Sequence, residues 1–164
     1  MYLNSLYKIA KKSVRIYSIN QVLFYHRRVV MHPREKIVAS LDELSDMCRA
    51  RRIAGGGSIV LTSGCFDLLH GGHLEYICDA RDLGYYLVVG INSDAFVKKL
   101  KGDGRPVRNQ EDRAFTMAGF SPVDLVVIFD CDYELIRAVR PNVYVASATS
   151  HVSIWDDTKR VQLL

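Results

Sequence analysis

From residue 59 onward, short apolar runs alternate with stretches of helical spacing. Ile59-Val60-Leu61-Thr62, Tyr86-Leu87-Val88-Val89-Gly90-Ile91, Leu125-Val126-Val127-Ile128-Phe129 and Val143-Tyr144-Val145 are apolar at consecutive positions rather than at every second one. Strands apolar on both faces belong to a parallel sheet covered by helices on both sides. The intervening stretches, 73–83, 94–100, 110–119 and 132–140, have the length of crossover helices. Gly84 follows the first as a cap and Pro141 the last as a stop. The pattern predicts βαβα order, an α/β fold with a doubly wound parallel sheet.

Upstream of residue 59 the pattern is mixed. Ser40-Leu41-Asp42-Glu43 is a capping box, and Leu41, Leu44 and Cys48 follow at helical spacing. Arg49, Arg51 and Arg52 suit the negative end of that helix, which Gly55-Gly56-Gly57 stops. Residues 1–35 give no clean period: Val22-Leu23-Phe24-Tyr25 and Val29-Val30-Met31 read as strand or packed coil, and Pro33 ends the stretch. The domain reading is an N-terminal arm, 1–35, followed by one domain, 36–164.

Charge sharpens that division. The 164 residues carry 22 Lys and Arg against 18 Asp and Glu, but residues 1–35 hold seven of the bases and one acid. The body, with 15 bases and 17 acids, is mildly acidic. This argues against a body that binds nucleic acid, where the basic excess lies on the domain itself. The basic, acid-poor arm leaves open a membrane surface, an acidic partner or an organelle transit segment. No uncharged run approaches the roughly 18 apolar residues of a spanning helix. Cys48, Cys65, Cys78 and Cys131 form no CxxC pair and no zinc spacing, and read as free thiols of a reducing, cytoplasmic compartment.

The chemistry concentrates after the first apolar run. Thr62-Ser63-Gly64-Cys65-Phe66-Asp67-Leu68-Leu69-His70-Gly71-Gly72-His73 leads off the carboxyl end of a predicted strand into a helix, where open α/β sheets bind ligands. Gly64, Gly71 and Gly72 permit close backbone approach, the helix start offers unpaired amides, and two histidines three apart add imidazole donors. These parts suit phosphate oxygens. The segment is neither a Walker A loop nor the GxGxxG fingerprint.

Gly64 to His73 resembles the G-x-F-D-x-x-H-x-G-H signature of the cytidylyltransferase-like nucleotidyltransferase superfamily. The similarity continues through Gly84–Asp94, Lys98–Val107, Glu111–Ala114 and Val123-Asp124. Within that superfamily the chain is similar to bacterial heptose-1-phosphate adenylyltransferases, which also occur as a domain of a bifunctional kinase/adenylyltransferase. It is more distantly similar to glycerol-3-phosphate cytidylyltransferases. Class I aminoacyl-tRNA synthetases share the histidine pair, but this chain is too short to hold their tRNA-binding parts.

The resemblance implies attack by an acceptor phosphate oxygen on the α-phosphorus of a nucleoside triphosphate, with release of pyrophosphate. Catalysis of that step is positioning plus stabilisation of charge. On the same basis His70, His73, Lys101 and Arg113 are expected to be catalytic, Arg113 as a charge clamp. Gly64, Cys65, Phe66, Asp67, Gly72, Lys98, Asp94 and Asp124 are expected to bind nucleotide. Mg²⁺ is expected on the triphosphate, with no protein carboxylate cage. The partners implied are a nucleoside triphosphate and a phosphorylated small-molecule acceptor, with a homodimer common among relatives.

Lys98, Lys99, Lys101, Arg105 and Arg108 place five positive charges in eleven residues, read as a loop closing over phosphates. Arg113 alternatively pairs Asp112 or Glu111 at a surface, Asp94 alternatively caps its helix, and Asp124 is alternatively structural. Three departures from the relatives' pattern stand out. Ala146-Ser147-Ala148-Thr149-Ser150-His151 replaces a Gly-Gly-Asp loop, and a C-terminal Ser-Thr-Thr-type nucleotide-binding block is expected to be missing before Leu164. Tyr85 stands where Asp is frequent. The base, ATP preferred over CTP, and the acceptor stay open, as does a nucleotide-binding domain without turnover.

Overall fold

The computed structural model describes residues 31–146 and 161–163. Contacts divide the chain into two units, Met1–Met31 and His32–Leu164. Pro33–Lys36 form a 3-10 turn, and the Lys36 ammonium donates to the carbonyls of Phe120 (3.2 Å) and Val123 (2.8 Å). The apolar run at 22–25 lies outside the described residues, as do Val29 and Val30 of the next run.

Six described strands form one sheet: β1 (Ile37–Val38), β2 (Ile59–Gly64), β3 (Tyr86–Asn92), β4 (Leu125–Phe129), β5 (Val143–Ala146) and β6 (Val161–Leu163). Their order is β1-β4-β3-β2-β5-β6, and every pairing is parallel. The four expected strands are present. β1 and β6, too short to show a pattern, add to the two edges. The helices are α1 (Leu41–Ile53), α2 (Gly71–Asp82), α3 (Asp94–Lys101), α4 (Gln110–Ala118) and α5 (Asp132–Val139).

The consecutive apolar positions divide between two layers. Ile59, Leu61, Val88, Leu125, Val127, Phe129, Tyr144 and Ala146 join Leu44 and Cys48 of α1 and Leu135, Ile136 and Val139 of α5 in one buried cluster. Val60, Leu87, Val89, Ile91, Val126, Val143 and Val145 join Ile77 and Ala80 of α2 and Ala114, Met117 and Ala118 of α4 in the other. Odd and even residues of each strand thus face opposite layers, as the two-residue period requires.

The chain runs β2 to β3 to β4 in one direction, then returns past β2 to place β5 on its far side. Crossovers in parallel sheets are right-handed, so a reversal of direction transfers the connecting helix to the opposite face. This is why α5 lies over the layer that α2 and α4 do not cover. The reversal sets a switch point beside the carboxyl end of β2, where open sheets form a ligand-binding crevice.

Ser40 caps α1, its hydroxyl accepting from the Glu43 amide at 3.2 Å. The Glu43 carboxylate reaches back to the Ala39 amide at 3.0 Å, one residue beyond the expected cap. Arg52, expected to serve the end of its own helix, instead donates to the carbonyls of Val139 and Arg140, closing the carboxyl end of α5. No helix among the described residues is long and apolar enough to cross a membrane.

Gly90 sits in the middle of β3, where an added Cβ would meet Leu135 Cδ2 at 2.6 Å and Phe129 Cε1 at 2.9 Å. Gly90→Ala is expected to overpack this layer and lower stability by about 1–3 kcal/mol, read as a reduced midpoint in urea with an unchanged slope.

Candidate active site

The turn between β2 and α2 is tightly shaped. Phe66 has φ +44°, a left-handed conformation that costs a non-glycine residue on the order of 1–3 kcal/mol. Its ring is buried in the α2/α4 layer, which supplies the compensation. That ring lies edge-on to His73, centroids 5.7 Å apart. A Cβ at Gly64 would meet the Phe66 ring at 3.2 Å.

His70 precedes the first residue of α2 with extended backbone. Its amide donates to Nδ1 of His73 at 3.3 Å, and the two imidazoles are 4.0 Å apart between centroids. Since Nδ1 of His73 accepts, a neutral His73 carries its proton on Nε2. Burial, followed by the charges of His70 and Lys101, lowers the His73 pKa, so the neutral ring dominates at pH 7. The site therefore presents a fixed Nε2–H donor beside the open amides of a helix start.

Asp67 is 7% exposed, and its carboxylate is fully engaged within the protein. It accepts from the amides of Val107 and Arg108 at 3.0 Å and from the Arg105 guanidinium at 2.8 Å. Burial alone would raise its pKa; the Arg108 and Val107 amides and the Arg105 guanidinium outweigh it and hold it at about 2. Expected to contact nucleotide, Asp67 is instead the tether of the loop between α3 and α4. That loop leaves α3 at Gly102, whose φ of +86° a glycine adopts without strain.

Arg113 corrects a second expectation. Its side chain is fully buried and does not face the cleft or pair with its neighbours Glu111 and Asp112. Nε donates to Arg108 O at 3.0 Å and Nη1 to Cys65 O, while Nη2 donates to Asn92 O and Asp94 Oδ1, both at 2.7 Å. Four parts of the chain converge on one guanidinium: the end of β2, the end of β3, the start of α3 and the 102–109 loop. Arg113 thus shapes the site from beneath, and Asp94 is its partner.

A cleft of about 1030 Å³ opens above, at the carboxyl ends of β2 and β3. Gly64, Cys65, Phe66, Asp67, Gly72, His70, His73 and Lys101 line it. Lys98 instead pairs with Asp103 at 3.1 Å, both side chains well exposed. Asp124 lies at the amino ends of β3 and β4, opposite the cleft, accepting from Leu87 N at 2.8 Å and from Arg81.

Residues that the sequence reading passes over complete the lining. Asp132, the first residue of α5, faces the cleft with its Oδ1 3.4 Å from the Ser63 hydroxyl, which is itself 2.7 Å from the Tyr144 hydroxyl. Tyr76 of α2 bonds Thr62 at 2.7 Å and donates to Val145 O at 2.9 Å, bridging α2, β2 and β5. The available signal is topological: Asp132 begins the helix after a strand whose carboxyl end faces the crevice. The 147–151 segment, replacing the relatives' glycine-rich loop, lies outside the described residues.

A family model described as Cytidylyltransferase-like matches residues 61–163. The bifunctional protein HldE of a Nitratiruptor species is 40% identical over 139 residues, covering 84% of this chain and 30% of that protein. HldE of Wolinella succinogenes is 47% identical over 116 residues, covering 68% of this chain and 24% of that protein. HldE of a Helicobacter pylori strain is 53% identical over 92 residues, covering 55% and 20%. The chain spans less than a third of the length of these curated relatives. A lipopolysaccharide core biosynthesis protein from Thermoplasma volcanium shares the fold, with TM-score 0.57 and 20% identity, over 65% of this chain and 95% of that one.

The buried charges can be tested directly. Arg113→Met strands three carbonyls and a carboxylate, and is expected to cost about 3–5 kcal/mol in denaturant unfolding; Arg113→Lys recovers only part, because an ammonium cannot span the same acceptors. Asp67 has its folded pKa lowered below the ordinary value near 3.9, so its contribution is complete above about pH 4 and lost as pH falls through about 2. Protection of the Val107 and Arg108 amides, taken relative to the intrinsic exchange rate at each pH, is expected to fall over that window in the wild type, and at neutral pH in Asp67→Asn.

Proposed function

The chain belongs to the cytidylyltransferase-like family, and on that premise we propose that it transfers a nucleotidyl group, AMP in preference to CMP, from a nucleoside triphosphate to a sugar phosphate. The observation that carries the reading is the pair of imidazoles 4.0 Å apart at the start of α2, facing one cleft with Lys101. Preference for ATP and for a sugar 1-phosphate rests on the sequence resemblance to heptose-1-phosphate adenylyltransferases.

In the step proposed, an acceptor phosphate oxygen attacks the α-phosphorus in line. One P–O bond forms to the acceptor and the bridging P–O bond to the β-phosphate breaks, releasing pyrophosphate. The attacking oxygen is already ionised, so no protein base is required. His70 and the Nε2–H of His73 donate to the transferring phosphoryl oxygens, the amides at the start of α2 add to that field, and Lys101 balances the leaving pyrophosphate. Asp67 and Arg113 act at one remove, by holding the loop and the strand ends in place.

Magnesium would enter this site as an ion carried by the triphosphate. No three His, Cys, Asp or Glu among the described residues converge on a cage, and the Asp67 carboxylate is committed to Arg105, Val107 and Arg108. Mg²⁺ commonly binds in this way, through phosphates and water, and would neutralise triphosphate charge.

The test is pyrophosphate release from ATP and from CTP against a panel of heptose 1-phosphate, glycerol 3-phosphate and a phosphonate. Turnover with ATP and the sugar phosphate is expected, with kcat lowered about 10²–10³-fold in His70→Ala or His73→Ala. Triphosphate binding by calorimetry with no pyrophosphate from any pair would overturn the reading in favour of a binding domain.

A further inference from the structure

Two carboxylates line the cleft among the described residues, and they are in opposite states. Asp67 has all its near neighbours as donors and is held by two amides and a guanidinium. Asp132 is half-buried, and its one bond among the described residues is to the Ser63 hydroxyl at 3.4 Å, near the limit of a hydrogen bond. Ser63 has a single proton. Donating it to Asp132 requires Tyr144 to donate to Ser63 across their 2.7 Å contact, giving a one-way relay from Tyr144 to Ser63 to Asp132. The relay orients the carboxylate and leaves most of its lone-pair positions open.

This arrangement occupies the side of the cleft away from the histidines. Ser63 and Tyr144 share strand parity with the residues of the α1/α5 layer, and Asp132 begins α5. His70 and His73 begin α2, which packs on the other layer. A site made only for phosphates gains nothing from an unsatisfied carboxylate, which repels them. Asp132 as a partner of the α5 dipole explains its position at a helix start, but not its burial against a hydroxyl relay facing an open cleft. Burial pushes its pKa up, partly offset by Ser63, which marks a carboxylate short of solvent and of donors.

We propose that Asp132 reads the acceptor: its carboxylate accepts hydrogen bonds from the hydroxyls of a phosphorylated polyol whose phosphate end points toward His70, His73 and Lys101. The inference rests on the nucleotidyltransferase reading and deepens it by naming what selects the acceptor. Charge sets the polarity, since phosphate is drawn to the basic side and hydroxyl donors to the acidic side. Ser63 and Tyr144 are positioning residues for Asp132.

The experiment measures binding of a sugar phosphate and of a simple alkyl phosphate, in the presence of a non-hydrolysable triphosphate analogue, to wild type, Asp132→Asn and Ser63→Ala, with turnover measured in parallel. Asp132→Asn is expected to weaken sugar phosphate binding at least about tenfold while leaving the alkyl phosphate and the triphosphate unaffected; Ser63→Ala follows in the same direction with a smaller loss. A uniform loss for all three ligands, or unchanged sugar phosphate binding in a wild-type-like active enzyme, overturns the role of Asp132 and leaves the transferase reading intact. A wild type that neither binds the sugar phosphate nor releases pyrophosphate overturns both.

Discussion

A single buried guanidinium holds the working end of this protein in shape. Removing an arginine from water is expensive, and the cost is offset only where good acceptors surround it. Arg113 finds them at Cys65 O, Asn92 O, Arg108 O and Asp94. Three of the four are main-chain carbonyls at places where regular structure ends and the backbone would otherwise lack partners. Strand ends and loop geometry are therefore coupled: neither the histidine turn nor the 102–109 loop can shift far without leaving a buried charge uncompensated.

Asp67 supplies the complementary half. The loop is gripped through Val107 and Arg108 amides by a carboxylate at the histidine turn, and through the Arg108 carbonyl by Arg113 on α4. Two charges expected at the nucleotide are thus committed to holding this loop and the strand ends. The imidazoles of His70 and His73 and the Lys101 ammonium are left facing the cleft, with Asp132 across from them.

The sheet was legible because its signal is physical and local: Val126 between Leu125 and Val127 is apolar since both faces of β4 are covered. The histidine turn was legible because its glycines and imidazoles are adjacent in the chain. What stayed hidden depended on distance. Arg113 and Asp124 are both charged residues beside predicted apolar runs, and only the fold decides that one lies beneath the site and the other at the amino ends of the strands. Asp132, Ser63 and Tyr144 come from three separate segments, each too ordinary alone to attract notice. β1 has two residues and β6 three, below the length at which periodicity can be recognised, and their placement follows from pairing with β4 and β5.

The sheet's two-residue parity has an evolutionary consequence. Odd-numbered positions of β2 communicate with α5, even-numbered ones with α2, so the sheet behaves as a partition wall with a different tenant on each side. Drift in the packing under α5 can re-aim Asp132 without disturbing the imidazoles, and drift under α2 can do the reverse. A scaffold wired this way can exchange one reactant for another while its reaction stays the same, because the two inheritances are carried in separate compartments of one core.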